Sequence, residues 1–455
     1  MSRSRFETWF AKLAVSVTIL FGLALSAPDG ISAQVSQQES TAQEHSGPVA
    51  SSGVMRTLRG RHLLLVTDLP SSPDVDGLPK IFDQAISQWG TYFHVKPDTF
   101  ANWKIRGYLM RNDQRFREQG FLPDDLPPFL HGYQRADALW VREQPSVYYQ
   151  RHLLLHEGTH AFMRFALGGT GADWYMEGVA EHLATHRFRD GRLELQAFPQ
   201  SREEVPHWGR IKLIRDAMAA GQARSLTDAL QLGGHDFRRV DAYAWAWAAI
   251  VFLESNPRYA LRFGDLQNQV SLPPAQFTAR LWQSLQADRR QIQDAWEVFL
   301  AQLDYGYEPT ADAIDYRPVK SFAETTRISI KTDRGWQSTG LQLSGGQVYR
   351  VRAHGRYQLV SGDEVWWSEA GGVSLEYQDG MPLGQLIGAF SAEIPAERPV
   401  GQASFSSPIP VGVDCELRPQ RDAVLFLRIN EPAGRRKDNQ GSLLVQIEEV
   451  VDPTN

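Results

Sequence analysis

Two histidines and a glutamate with the spacing of a metal site stand in the stretch RHLLLHEGTHAFMRFA, residues 151–166. His156 and His160 are four residues apart, so on a helix they share one face and their imidazoles could bind one metal ion. Glu157 lies beside them and could take a proton from a water molecule that the metal activates, then pass it to a leaving amine. The spacing therefore predicts a catalytic zinc site. The alternative is that the two histidines are ordinary polar residues of a helix.

A catalytic zinc ion needs a third protein ligand and an open position. The segment DWYMEGVAEHLA offers Glu177 and Glu181, again four residues apart on a predicted helix. Glu177 is the predicted third ligand, because the chain can turn between HEGTH and this second helix. Glu181 could accept a hydrogen bond from the far nitrogen of a ligand histidine, or could be a surface carboxylate. His182 and His186 are rival ligands, ranked below Glu177, and His152 is predicted to lie beside the site rather than in it.

The elements that would position these residues follow from the hydrophobic pattern. Strands are predicted at RHLLLVTDL, IRGYLMR and DALWVRE, with a helix at GLPKIFDQAISQWGTYF between the first two. Residues from about 147 to 305 are almost entirely helical in pattern. Strands followed by helices predict an α+β domain over residues 55–308, in which a small mixed sheet precedes a mostly helical part.

HEGTH followed by WYMEGVAEH resembles the gluzincin zinc metallopeptidases, and especially the bacterial peptidase-MA-like group, over residues of about 60–305. The resemblance implies that Glu177 is the third zinc ligand and that Glu181 is the supporting carboxylate. It also implies that DALWV is the edge strand along which a peptide substrate lies. In several gluzincins a tyrosine on a later helix donates a hydrogen bond to the oxyanion, and Tyr243 in DAYAWAWAAIVFL matches it. The alternative for Tyr243 is a place in the core.

No residues resemble the motif with which aminopeptidases recognise the substrate amine, so the choice between endopeptidase and exopeptidase stays open.

Beyond residue 308 the pattern changes to that of a β domain. Prolines and acidic residues in GYEPTADAIDYRPVK predict a linker, placed at residues 309–322. The stretches ISIKTD, QVYRVRAHG, VSLEYQ, VLFLRIN and SLLVQIEEV then alternate apolar and polar residues between glycine-rich turns. This spacing of short strands predicts an all-β sandwich over residues 323–452.

Two stretches of this region, WQSTGLQLSGGQVYRVRAHGRYQL and FLRINEPAGRRKDNQGSLLVQI, resemble the PA-I-type galactose-binding lectins. The resemblance implies a calcium ion that contacts the sugar, with Glu431, Asp438 and Asn439 as oxygen donors of the kind that calcium prefers. The chain departs from the family in having Glu431 in place of an aspartate and a basic run at residues 435–437. The alternative is that RINEPAGRRKDNQGS is a turn between two strands.

The whole chain has 455 residues, of which 42% are hydrophobic, and suits two or three globular domains. Basic residues followed by LAVSVTILFGLALSA predict a signal peptide over residues 1–33, with a retained anchor as the alternative, and a disordered leader over residues 34–54. A single cysteine, Cys415, excludes an internal disulfide framework. The net charge of -6 gives no electrostatic case for nucleic acid, and no later segment is long and apolar enough to span a membrane.

The sequence therefore predicts an exported zinc peptidase, found in the periplasm, at the cell surface or outside the cell. Its partner is a peptide or protein substrate, and a glycan is a candidate partner of the sandwich. The alternative function is that of a non-catalytic surface or secreted protein, which binds carbohydrate or calcium through the C-terminal sandwich.

Overall fold

The structure is a computed structural model that describes residues 55–362, 365–392 and 404–450. These residues fall within one unit of the chain, Gly53–Asn455. The predicted signal peptide and the predicted leader lie outside the described residues. The described chain has mixed helical and strand content, with a helical middle and a β-rich C-terminal region.

A five-stranded sheet opens the described chain, in the spatial order β1-β2-β3-β5-β4. Its strands are β1 (Arg56–Arg59), β2 (Leu63–Thr67), β3 (Ile105–Met110), β4 (Gly132–Arg135) and β5 (Ala138–Arg142). The three inner strands run parallel to one another, and both edge strands are antiparallel to their neighbours. The DALWV stretch therefore forms a strand, β5, but the expectation that it is the edge strand is wrong. The hairpin partner β4 pairs with it and takes the edge.

Helices fill the middle of the chain. They are α1 (Pro73–Asp76), α2 (Leu78–Tyr92), α3 (Pro97–Phe100), α4 (Asp113–Glu118), α5 (Val147–Leu167), α6 (Asp173–Ala184), α7 (Arg210–Ala219), α8 (Leu226–Ala229), α9 (Val240–Ser255), α10 (Ala260–Gly264), α11 (Pro274–Ser284), α12 (Arg289–Gln302) and α13 (Pro309–Asp312). Two of them, α2 and α5, pack on the five-stranded sheet. Among the described residues, none of the helices combines the length and the hydrophobicity that crossing a bilayer requires.

One β-hairpin interrupts the region that was predicted to be almost entirely helical. Its strands are β6 (His186–Arg189) and β7 (Arg192–Leu195). Asp190 and Gly191 join them and both have positive φ, 52° and 75°, as the tightest hairpin turns require. The Asp-Gly dipeptide between alternating apolar residues is the signal that a helical interpretation of this stretch overlooks.

Two glycines bring the site-bearing helices close to their neighbours. A Cβ atom at Gly158 of α5 would lie 2.5 Å from the ring of Phe82 on α2. A Cβ atom at Gly178 of α6 would lie 2.7 Å from the carbonyl oxygen of Ala246 on α9. Since real side chains do not approach so closely, glycine is needed at both positions, and the close contacts fix how α5 and α6 lie in the core.

The C-terminal region consists mainly of two sheets. Its strands are β8 (Lys320–Ser321), β9 (Thr326–Lys331), β10 (Gln337–Leu343), β11 (Tyr349–His354), β12 (Tyr357–Val360), β13 (Trp366–Ser368), β14 (Gly371–Gln378), β15 (Met381–Ala392), β16 (Ile409–Pro410), β17 (Asp414–Leu417), β18 (Ala423–Ile429) and β19 (Ser442–Glu449). One sheet has the order β14-β15-β18-β10-β8 and the other β17-β11-β19-β9, and all pairings except that of β8 with β10 are antiparallel. Leu343 and Leu425 of the first sheet share a buried cluster with Val351 and Val445 of the second, as in a sandwich.

The segment that was predicted to be a linker, residues 309–322, is packed rather than free. It contains helix α13 and strand β8, and β8 pairs in parallel with β10. Asp312, at the end of α13, forms a buried ion pair with Arg436 of the sandwich. Phe405 and Phe426 of the sandwich belong to the same apolar cluster as the helical middle. Apolar and charged contacts therefore both join the sandwich to the rest of the chain.

Candidate metal centre and catalytic cleft

Three side-chain atoms from α5 and α6 converge on one point. The Nε2 atoms of His156 and His160 are 3.1 Å apart. Oε2 of Glu177 lies 3.1 Å from the first of these atoms and 3.4 Å from the second. Ligands at about 2.0–2.1 Å from a tetrahedral zinc ion lie roughly 3.3 Å from one another, so the donor set fits zinc in spacing and in type.

The local sequence explains why these atoms meet. Ser146 caps α5 by accepting a hydrogen bond from the backbone N–H of Tyr149, and Gly168, with a φ of 72°, ends the helix. Within the uninterrupted helix His156 and His160 lie one turn apart on the same face, with ring centroids 4.7 Å apart. The chain then turns back into α6, which brings its carboxylates alongside.

The site is buried, and the ionisation of Glu177 suits a metal ligand. His156 and His160 are only 4% and 6% exposed. Burial by itself would raise the pKa of Glu177, but the neighbouring histidines outweigh it and lower the pKa to about 2. Nδ1 of His160 is buried and has no hydrogen-bond partner among the described residues. A buried carboxylate that stays ionised between two imidazoles is a donor set that can bind a divalent cation.

Glu181 lies behind the histidines, where the sequence predicts a supporting carboxylate. Its Oε1 atom is 3.4 Å from Nδ1 of His156, and its Oε2 atom is 3.3 Å from Nε2 of His152. The guanidinium of Arg210 donates two hydrogen bonds to the same carboxylate, each 3.0 Å long. Burial tends to raise the pKa of Glu181, but Arg210 and His152 lower it well below its usual value. Glu181 therefore stays anionic within 3.4 Å of Nδ1 of His156, which is the place of a carboxylate that supports a candidate metal ligand.

The rival ligands lie elsewhere. Nε2 of His182 is 3.3 Å from Oε2 of Glu254, on the far side of α6. Nδ1 of His186 donates to the backbone oxygen of Ala184 at 2.8 Å, and its Nε2 accepts from Nε of Arg151 at 3.2 Å. Neither histidine belongs to a group that could hold a metal ion among the described residues. The ranking of Glu177 above both agrees with this placement.

Glu157 is buried beside the metal-ligand group and faces strand β4. A Cβ atom at Gly132 of β4 would lie 2.5 Å from Oε1 of Glu157, so the edge-strand backbone passes directly over this carboxylate. Burial raises the pKa of Glu157 above its ordinary value, although His156 and His160 oppose the shift. A carboxyl group with a raised pKa at the edge of a cleft suits proton transfer.

These residues open onto a cleft with a volume of about 650 Å³. Its walls are the loop before β4, β4 itself, α5, α6 and the start of α9. Tyr243 of α9 lines the cleft, with its ring centroid 6.1 Å from that of His156. Burial, followed by the charges of Glu177 and Glu181, raises its pKa, so its hydroxyl remains a hydrogen-bond donor. The expected oxyanion donor is therefore within the cleft rather than in the core.

Sequence reasoning missed the arginines that line the cleft, which are Arg164, Arg210, Arg238 and Arg239. Nothing in the sequence around Arg210 points to a buried partner for Glu181, because the two residues are distant along the chain. Arg238 lines the cleft from the end of a short 3-10 helix that carries no motif. Arg164 could have been found, because it follows His160 by one further helical turn and so shares the face of the predicted ligands.

The residues predicted for calcium have partners within the protein. Oδ2 of Asp438 accepts a hydrogen bond from the backbone N–H of Ser361 at 3.1 Å. Nδ2 of Asn439 donates to Oε2 of Glu431 at 2.7 Å, and Nε of Arg435 is 4.0 Å from Oε1 of Glu431. Burial raises the pKa of Glu431 to about 7. Oε1 of Glu431 and Oδ1 of Asn439 have no hydrogen-bond partner among the described residues.

Comparison with known proteins identifies no family. No family model matches the chain, and no curated protein is similar to it. Among solved structures it is similar to a PllA-like lectin, the EclA N-terminal domain, with 15% identity and a TM-score of 0.21 over 28% of this chain and 97% of that one. It is also similar to Aeromonas hydrophila PliG, a periplasmic lysozyme inhibitor of g-type lysozyme, with 14% identity and a TM-score of 0.19 over 31% of this chain and 100% of that one. Similarities at this level assign neither a fold family nor a function.

Proposed function

We propose that this protein is an exported zinc-dependent peptidase, related in its site to the gluzincins, that hydrolyses peptide bonds with Glu157 as the general base. The observation that carries the proposal is the spacing of the donor atoms of His156, His160 and Glu177, which are 3.1, 3.1 and 3.4 Å apart. These distances match those between the ligand atoms of a tetrahedral zinc ion, and the carboxylate of Glu157 lies next to them.

The residues around the three donor atoms have distinct roles in this reaction. Zinc, when bound, polarises the scissile carbonyl and makes water acidic enough to react near neutral pH. Glu157 accepts the proton of the attacking water and delivers it to the nitrogen of the leaving amine. The hydroxyl of Tyr243 donates a hydrogen bond to the oxygen on which negative charge develops. Glu181 and Arg210 keep the imidazole of His156 in the orientation that the reaction needs.

The edge of the sheet offers a place for the substrate backbone. Strand β4 pairs with β5 on one side only, so its other edge has backbone N–H and C=O groups that can pair with an extended peptide. Gly132 lies over Glu157, which would bring a peptide bound along β4 to the catalytic carboxylate.

Metal analysis and one substitution test the proposal. Purified protein should contain one zinc ion per chain, and Glu157→Gln should retain this ion while hydrolysis of a peptide library falls by about 10²–10⁴-fold. Glu118→Gln changes an exposed carboxylate of α4 in the same way and should leave hydrolysis unchanged. Protein without stoichiometric zinc, or a Glu157→Gln variant as active as wild type, would show that the proposal is wrong.

A second candidate function is calcium or carbohydrate binding by the sandwich, without catalysis. It is favoured by the two buried oxygen atoms without hydrogen-bond partners, Oε1 of Glu431 and Oδ1 of Asn439, because burying an unpaired oxygen is costly and calcium binds oxygen. Arg435 opposes it, since its guanidinium already faces Glu431. A glycan array probed with and without calcium tests this function. Glycan binding that does not depend on calcium would contradict a calcium site at Glu431 and Asn439.

A further inference from the structure

Arg164 lies in the candidate cleft without a charged partner. It is on α5, four residues beyond His160, so it shares the helix face of the metal ligands about 6 Å further along the axis. Its side chain is exposed and lines the cleft. The proposed reaction gives it no part, so its presence on this face calls for a separate explanation.

Neutral groups hold the guanidinium of Arg164 in place. Its Nε atom donates to Oε1 of Gln134 at 3.1 Å, and its Nη2 atom is 3.9 Å from Sδ of Met176. The amide of Gln134 is itself fixed, because its nitrogen donates to the backbone oxygen of Ala136 at 2.8 Å. The side chain is therefore positioned but its charge is not neutralised. Nη1 has no partner among the described residues and Nη2 has only the weak contact with sulfur, so both can still donate to a carboxylate.

Two of the other three arginines that line the cleft are paired with carboxylates, whereas Arg238, like Arg164, has no ion pair among the described residues. Arg210 is paired with Glu181 by two hydrogen bonds of 3.0 Å, and Arg239 is paired with Asp241 at 2.9 Å. No ion pair joins Arg164 to a carboxylate in the part of the chain that the structure describes. Since opposite charges attract more strongly inside a cleft than in bulk water, an unpaired cation there favours an anionic group on the ligand.

The position of Arg164 along strand β4 determines how far from the scissile bond its binding partner on a peptide would lie. Gly132 of β4 lies over Glu157, whereas Gln134, two residues further along the same strand, holds Arg164. Two residues of an extended strand span roughly 6.7 Å. A peptide that pairs with β4 would therefore present to Arg164 a group one or two residues from the bond that Glu157 attacks.

We propose that Arg164 is a specificity-determining residue, which selects peptides with a carboxylate one or two residues from the scissile bond. The proposal rests on the proposed peptidase function. The carboxylate could belong to an aspartate or glutamate side chain or to the C-terminus of the peptide, and both would bind the guanidinium in the same way.

A cleavage profile of the zinc-loaded protein tests this proposal and separates the two sources. One library compares Asp and Glu with Asn and Gln at each internal position, and a second compares free C-terminal acids with C-terminal amides. In one of these two comparisons wild type should prefer the carboxylate by about tenfold in kcat/KM. Arg164→Gln should lose this preference and keep its activity on neutral peptides, and Arg164→Glu should prefer basic residues at the same position. High salt should weaken the wild-type preference, because the guanidinium is exposed.

A matched variant and a binding measurement complete the test. Arg280→Gln, which changes an exposed arginine of α11, should keep the wild-type profile. The inactive Glu157→Gln protein should bind an acidic peptide about tenfold more tightly than the Glu157→Gln/Arg164→Gln protein does. Cleavage without regard to carboxylates overturns the role of Arg164 and leaves the peptidase function intact. If wild type cleaves no peptide the peptidase function fails, and equal binding by the two inactive proteins then overturns the role of Arg164 as well.

Discussion

The helical part and the sandwich each contain a motif from which the sequence predicts a metal site. The side chains of the first motif converge on one point, whereas those of the second contact other parts of the protein. In the helical part His156, His160 and Glu177 bring three donor atoms within 3.4 Å of one another. In the sandwich many polar side chains of the loop at residues 430–439 form hydrogen bonds or ion pairs with other residues of the protein. Its Arg436 is buried against Asp312 of α13.

The difference teaches that residue spacing carries geometry only where the backbone is regular. On α5 a separation of four residues always means one helical turn, so the positions of the imidazoles follow from the sequence. The loop at residues 430–439 contains only a short helical turn, so the spacing of Glu431, Asp438 and Asn439 does not determine where their oxygens point. Calcium binding there and zinc binding on α5 and α6 both stay predictions, but only the predicted zinc donors lie close together.

Glu177→Ala should produce the largest effect, because it removes one of three ligands from a buried site. Two histidines alone bind zinc weakly, so we expect loss of the metal and a fall in kcat/KM of at least about 10⁴-fold, on the order of 5 kcal/mol. Zinc content and hydrolysis of a peptide substrate are measured on the same preparation. Glu194→Ala, which removes an exposed carboxylate from β7, should change neither quantity. A Glu177→Ala protein that keeps stoichiometric zinc would show that Glu177 is not a ligand, so the helical motif would then be no better supported as a metal site than the loop of the sandwich.

Arg436→Ala tests the opposite statement, that the sandwich loop serves as an interface. Arg436 is 2% exposed, forms an ion pair with Asp312 and donates to the backbone oxygen of Glu431 at 2.7 Å. Its removal leaves a buried carboxylate unpaired, so the free energy of unfolding should fall by about 3 kcal/mol. Chemical denaturation measures this change.

Arg435→Ala is the matched control, because the neighbouring arginine is largely exposed and its loss should cost less than about 1 kcal/mol. Equal effects of Arg435→Ala and Arg436→Ala would contradict the assignment of the loop to the interface.

Much of the fold was predictable, because most elements have a regular hydrophobic period. The predicted strands at β2, β3 and β5 and helix α2 are confirmed, as are the predicted strands of the C-terminal region. Two features escaped for physical reasons. The hairpin β6–β7 has strands of only four residues, so its Asp-Gly turn and brief alternation are easily overlooked within a long stretch of helical pattern. The edge position of β4 depends on pairing between strands, which the pattern within one strand does not determine.

The candidate site divides in the same way. His156, Glu157 and His160 follow from helix geometry within one element, and Glu177 follows from one turn of the chain to the next helix. Arg210 contacts Glu181 across the fold, and such a contact leaves no periodic signal in the sequence. Charged partners that lie far apart along the chain are therefore what sequence reasoning misses most readily.

The stability of the sandwich should depend on pH through Glu431. Burial raises its pKa to about 7, above the roughly 4.3 of a glutamate in an unfolded chain. Between these values the folded protein holds more protons than the unfolded chain, so the free energy of unfolding falls as the pH rises through this range. Glu431→Gln stays neutral at every pH. Without calcium it should match wild type near pH 4 and exceed it by roughly 3 kcal/mol at pH 8.

Urea denaturation at both pH values measures the difference, and Glu416→Gln, at an exposed position of β17, should show no such dependence. Repeating the measurement with calcium distinguishes a calcium site from an interface at this loop. If the loop is a calcium site, the metal ion stabilises ionised Glu431 and removes the difference at pH 8. If the loop is only an interface, calcium leaves the difference unchanged.

Arg210→Lys should produce the smallest effect and tests how precisely the helical site is held. Arg210 orients Glu181 by two parallel hydrogen bonds, which a lysine ammonium cannot reproduce although it keeps the charge. Glu181 then loses its fixed position against His156, so the affinity for zinc should fall by about 10–100-fold. Competition with a chelator measures the affinity. Arg215→Lys, an exposed position on the same helix α7, should have no effect. Unchanged affinity in Arg210→Lys would mean that the helices alone position the ligands, and that the regular backbone determines the site even without its buried ion pair.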